Sequence, residues 1–190
     1  MTTESQIRRI ISYPYDYEWS IQGFGMLRTW INPDGIERLH IWDTDLANSE
    51  VSTIHNHPWD FESRIVHGRI LNHRYNIDRT YGESYRKADI KTGEGGGLLA
   101  THSTPTLISE YPFESYYTGD HYAQDADEFH ESEPDKGTVT IIRRNFRHNR
   151  IATVCWRENC QWVTAEPRPA TKEEIDRFIG LIKLPRSYNA

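Results

Sequence analysis

An all-β fold, either a sandwich or a barrel, is what the sequence predicts, and three features predict it. Between Trp19 and Val163 the chain runs in short stretches rich in β-branched and aromatic residues, a composition that suits pleated, half-buried surfaces. Turn-forming clusters interrupt them: Asn32-Pro33-Asp34-Gly35, Gly68, Tyr81-Gly82 and Pro134-Asp135-Lys136-Gly137. Aromatic residues form 12% of the 190 residues, with 6 Trp and 11 Tyr, so a chain only 36% hydrophobic still has the bulk for a core. The length fits one domain over 1–190, with the β-body at about 19–165.

In chain order, Ser5 to Ile11 reads as a short helix. Met26 to Ile31 and Ile36 to Trp42 flank the first turn as a hairpin. The tract Thr92-Gly93-Glu94-Gly95-Gly96-Gly97 is too glycine-rich to continue a strand and reads as a loop. Thr138 to Arg144 and Ile151 to Trp156 read as later strands. A second helix is expected over Thr171 to Leu184: Thr171 caps it, Glu174 completes a capping box, and Ile175, Phe178, Ile179 and Ile182 form one apolar stripe. That stripe should pack on the outside of the β-body.

Composition narrows the function classes. Twenty-eight acidic against 22 basic residues give a net charge of -6, and no Lys/Arg block tracks a phosphate backbone, so no nucleic acid is expected as a partner. Apolar runs are too short to span a membrane, and no signal peptide is recognisable. Cys155 and Cys160 are too few for a disulfide framework and read as reduced thiols on the arms of a hairpin turning at 157–159. A cytoplasmic location is the expectation.

Nine histidines are many for this length, and spacing decides which of them carry chemistry. In His55-Asn56-His57 the two imidazoles share a strand face, because residues i and i+2 point the same way, and Pro58 then ends the ladder. Two nitrogen ligands from one strand make half a metal site. A third ligand must come from elsewhere, and the segment from Gly119 to His130 offers two candidates, His121 and His130.

These residues resemble the cupin superfamily, whose first motif is G-x5-H-x-H-x(3,4)-E-x6-G and whose second is G-x5-P-x-G-x2-H-x3-N. His55, His57, Glu62 and Gly68 match the first, and Gly119 and His130 match the second with the family's spacing between them. No glycine stands six residues before His55, Asp125-Ala126-Asp127 replaces the Pro-x-Gly turn, and Pro134 stands where the family has Asn. The resemblance implies a cupin-type double-stranded β-helix barrel, or jelly roll, with both helices outside it and a metal held within.

The interval from Glu62 to Gly68 is one residue short, which leaves two registers open, since a one-residue slip turns every side chain over. In one, Phe61, Ser63 and Ile65 face inward while Glu62, Arg64 and Val66 face out. In the other, Glu62 is a fourth ligand and Arg64 projects into the cavity. Further candidates for substrate contact are His73, on the strand after Gly68, and Arg144, which alternates faces with Arg143.

Three imidazoles, with or without a carboxylate, leave positions open on one divalent transition metal. Fe(II) is the first expectation, with Mn, Ni or Zn as alternatives. The reading is therefore a mononuclear non-haem iron oxygenase acting on a small organic substrate. The alternatives are a cupin isomerase, epimerase or lyase, and a non-catalytic binding cupin. A homodimer through barrel edges is compatible with each.

Overall fold

The computed structural model describes residues 3–48, 53–78, 80–93, 96–99, 102–148, 151–158 and 167–183. Helix α1 (Thr3–Ser12) and a 3-10 turn (Pro14–Asp16) precede β1 (Ser20–Gln22), β2 (Phe24–Trp30), β3 (Glu37–Ala47), β4 (Ile54–His55), β5 (Trp59–His67) and β6 (Arg69–Asp78). Then follow β7 (Glu83–Gly93), β8 (Gly96–Leu99), β9 (Thr104–Glu110), β10 (Glu114–Tyr117), β11 (His121–Gln124), β12 (Phe129–Pro134), β13 (Val139–Arg147), β14 (Ala152–Arg157), β15 (Arg168–Pro169) and α2 (Lys172–Gly180).

Two antiparallel sheets result. One has seven strands in the order β11-β5-β13-β3-β2-β1-β15; the other has eight, of which β10-β6-β12-β4-β14-β7-β8 form a continuous path and β9 bridges β6 and β7. From β3 onward the chain repeatedly changes sheet, and β11, β12, β13 and β14 alternate between the two. The predicted all-β class is what the chain adopts.

Turn chemistry fixes the first hairpin. Gly35 takes φ +68°, which only glycine adopts without strain, while its N–H donates to Asn32 O at 3.2 Å and Asp34 Oδ1 accepts from Ile36 N–H at 2.9 Å. At the β5–β6 corner Gly68 has φ +88°, and a Cβ there would sit 2.4 Å from Thr138 Oγ1. A side chain cannot enter that corner.

The largest apolar core lies on the outer face of the seven-stranded sheet. Ile7 and Ile10 of α1 and Ile175 and Phe178 of α2 close over Leu27, Leu39, Ile41, Val66 and Val139. Thr171 and Glu174 form the expected capping box, but α2 stops at Gly180; Ile182 still packs on the core from beyond the helix end. Leu184 lies outside the described residues.

Two other expectations change. The glycine-rich tract pairs as a hairpin, Thr92 with Gly97 and Gly93 with Gly96, because backbone ladders need no side chains. Val66 does face away from the sheet interior, yet it is buried, because α1 covers it. Cys155 is buried and in no disulfide, in keeping with its reading as a reduced thiol, and burial pushes it up to about 12; Cys160 lies outside the described residues. Among the described residues no helix is long and apolar enough to cross a membrane.

Candidate metal centre

The two sheets enclose a cavity of about 1240 Å³ lined by residues from both. Strand β4 contributes His55 directly opposite His130 of β12, so one backbone register brings a residue of the first motif against one of the second. Ile54 is buried on the opposite side, and His55 and His57 share the cavity wall as their spacing predicts. The turn at 125–128 is fastened to the same strip: His57 N–H donates to Ala126 O at 3.3 Å, and Ala126 N–H donates to Asp60 Oδ1 at 2.9 Å. Asp125 opens the turn, and Glu128 N–H donates to Asp125 O at 3.2 Å.

The three rings converge, with centroids 4.6 Å apart for His55 and His57, 4.9 Å for His55 and His130, and 5.2 Å for His57 and His130. One ligand atom from each lies within 4.8 Å of the others, a group that could hold a metal ion. His57 Nε2 and His130 Nε2 are 3.1 Å apart. Two imidazole nitrogens each about 2.1 Å from one ion and at right angles would lie about 3.0 Å apart. The spacing therefore fits a shared ion.

Neighbouring groups set the ring orientation. His55 Nδ1–H donates to Thr53 O at 2.7 Å, and His130 Nδ1–H donates to Asn72 Oδ1 at 3.2 Å, so each ring keeps Nε2 bare toward the cavity. Burial lowers the pKa of His55 below its ordinary value. Burial, joined by the other histidines and Arg38, holds His57 well below it, and burial, joined by His55 and Arg74, does the same for His130. Neutral imidazoles are the form a metal needs. No carboxylate or thiolate joins this group among the described residues.

Other candidates are placed elsewhere. Phe61, Ser63 and Ile65 face inward and are buried, while Glu62 and Arg64 are exposed on the outer face. Glu62 accepts from Asn145 Nδ2 at 3.4 Å and cannot be a fourth ligand; Arg64 pairs with Glu4 at 3.6 Å and does not enter the cavity. Both follow from the register that the shortened interval allows. His73 also faces outward, because its neighbours Ile70 and Asn72 take the inner positions of β6. Its Nδ1 lies 2.6 Å from Glu110 and its Nε2 3.3 Å from Glu133. His121 is exposed on β11, away from the group.

Arg144 does line the cavity, where its guanidinium stacks over Trp30 at 4.5 Å and Trp59 at 5.2 Å and donates to Gly35 O. Sequence reasoning missed three further residues on this wall: Arg28, Arg38 and His40. Their signal was present as the period-two run Arg38-x-His40-x-Trp42, which reads as a solvated strand face unless the opposite face is known to be covered.

No protein-family model matches the chain, and no curated protein matches its sequence either.

Proposed function

We propose that this protein is a cupin that holds one divalent transition metal, Fe(II) by preference, through His55, His57 and His130, and acts as a mononuclear non-haem oxygenase on a small organic substrate. The observation that carries the reading is the convergence of three imidazole nitrogens on the wall of a cavity large enough for a small molecule. The alternation of late strands between two sheets supports the cupin assignment. When bound, such an ion supplies adjacent coordination positions for substrate and dioxygen.

The chain's own residues do the rest. Thr53 O and Asn72 Oδ1 fix the tautomers of His55 and His130, Trp59 and Phe61 flank His57 at centroid distances of 5.4 Å and 5.1 Å, and the outward Glu62 leaves a coordination position to ligands from the cavity. Purified without a tag or added metal, the protein should carry about one first-row transition metal per chain, and His57→Ala should lose it while staying folded. Oxygen-electrode screening with small thiols, phenols and diketones should give uptake that disappears in His55→Ala. Full metal retention in His57→Ala would sink the site.

A second reading has one observation behind it. At 3.1 Å His57 and His130 could also share a proton directly, an acid–base pair of the kind an isomerase or lyase uses. Protein that purifies without metal and shows no oxygen uptake would favour it.

A further inference from the structure

The wall formed by the seven-stranded sheet holds more positive charge than it neutralises. Arg28 stands opposite His40 across the β2–β3 pair, and Arg38 stands opposite Trp30, so the two arginines are diagonal neighbours on one face. Such diagonal positions lie about 7–8 Å apart, a span that one oxyanion can bridge with long side chains. Arg28 Nε donates to Ser20 Oγ at 3.0 Å and its Nη1 to Gln22 Oε1 at 3.1 Å; Arg38 Nε donates to His40 Nε2 at 2.7 Å. Each of these acceptors is neutral, since burial and the charges of Arg38 and Arg28 keep His40 from protonating.

Among the described residues no carboxylate lies within ion-pair distance of Arg28, Arg38 or Arg144, and Arg28 Nη2 and both Nη atoms of Arg38 have no acceptor. Enclosure lowers Arg28 to about 10 and Arg38 well below its ordinary value. Both guanidiniums are half-buried and lack a counter-charge, so two of them on one wall favour an anion that the chain does not supply. Thr140, fully buried beside His40, presents an Oγ1 that also lacks a partner.

Three carboxylates stand nearest the cavity, Glu131 and Glu133 on the face of β12 opposite His130. Glu131 is held by Thr53 Oγ1 and Tyr75 OH, Glu133 is held by His73, and Glu18 is exposed at the rim. None reaches the arginines. The two Nη atoms of Arg38 form a fork that suits a planar, singly charged group. Between the arginines and the histidines the walls are flat rings: Trp30 and Trp59 sandwich Arg144, and Trp59 lies 5.4 Å from His57.

We propose that Arg28 and Arg38 form an anion-binding end of the cavity and that the ligand is a small aromatic carboxylate, its carboxylate between the two guanidiniums and its ring against the Trp30–Trp59 wall. The proposal rests on the oxygenase reading for the reaction that follows, but the anion site itself needs no metal.

Calorimetric titration of the metal-free full chain with benzoate, benzamide and inorganic phosphate tests it. Benzoate should bind once per chain, with benzamide and phosphate weaker by about tenfold or more, as a charge-assisted hydrogen bond of about 1.5–3 kcal/mol implies. Arg38→Met and Arg28→Gln should each weaken benzoate by about tenfold or more without changing benzamide, and Arg38→Lys should recover part of the loss. Circular dichroism checks that each variant is folded. Equal affinity for benzoate and benzamide, unchanged benzoate affinity in both arginine variants, phosphate binding tighter than benzoate, or no benzoate binding would each overturn it. Metal-free protein that binds benzoate through Arg38 but never takes up iron would overturn the oxygenase reading alone. Iron-bearing protein indifferent to benzoate would overturn the anion site alone.

Discussion

Along β3 the outward side chains Leu39, Ile41 and Asp43 enter a core sealed by two helices, whereas the inward Arg38, His40 and Trp42 line the cavity between the sheets. β13 repeats the division, with Val139 and Ile141 outward and Thr140, Ile142 and Arg144 inward. In an ordinary sandwich the apolar face would be the one between the sheets. Here the largest apolar layer lies outside, under α1 and α2, and the interior shares a smaller core around Phe61, Ile65, Ile70 and Tyr122 with histidines, arginines and aromatic rings. Stability and chemistry are thus assigned to opposite faces of one sheet, and each face can be perturbed with the other as control.

The largest effect should come from the outer face. Phe178 is fully buried, and Phe178→Ala should cost about 3–5 kcal/mol of unfolding free energy by denaturant titration. The folded fraction should keep its metal content. Metal loss in proportion to lost stability would mean that the two faces are coupled.

Asn72 gives the reverse dissociation. It is fully buried, its Oδ1 accepts from His130, and its Nδ2 has no partner, so Asn72→Leu removes a buried orphan donor together with the acceptor that orients the ring. Metal affinity should fall by about 10–100-fold while the melting temperature stays level or rises. Unchanged affinity by competition with a chelator would dismiss Asn72 as a positioning residue.

The smallest effect is pH-dependent and belongs to the helix-covered face. Burial by itself would raise the pKa of Asp43, but the 2.6 Å bond from Arg177, the Asp45 N–H and the charges of Arg177 and Lys136 pull it below 3.8. A carboxylate lowered on folding stabilises above its unfolded pKa and loses that stabilisation as pH falls through the folded one. Asp43→Asn should therefore cost about 1–2 kcal/mol at pH 7, discounted because Arg177 is half exposed, and the difference should shrink below about pH 3.8. A difference independent of pH would place the effect in packing. Glu174, lowered to about 2 chiefly by its hydrogen bond from Arg168, should reinforce the acid lability of α2.

Much of this arrangement was legible in the residues. His55 and His57 share a face because strand geometry has period two, and Gly119 and His130 carried their spacing through the turn at 125–128. The capping box at Thr171 is local chemistry, readable wherever it occurs. The shortened interval to Gly68 even held the answer about Glu62, since counting back from that glycine puts Phe61 inside and Glu62 outside.

What the sequence determined by itself was the β class, the first hairpin, the strands near 138–144 and 151–156, and the pairing of imidazoles on one strand, all of which depend on backbone period and turn chemistry. Tertiary structure alone decided which side of each strand was the inside. Arg38-x-His40-x-Trp42 and Leu39-x-Ile41 alternate equally well in either sense, and only the docking of Ile7, Ile10, Ile175 and Phe178 on the outer face buries the aliphatic set there and turns the arginines toward the histidines. That choice is set by contacts between residues more than a hundred positions apart, such as Arg177 with Asp43, which no local period can encode.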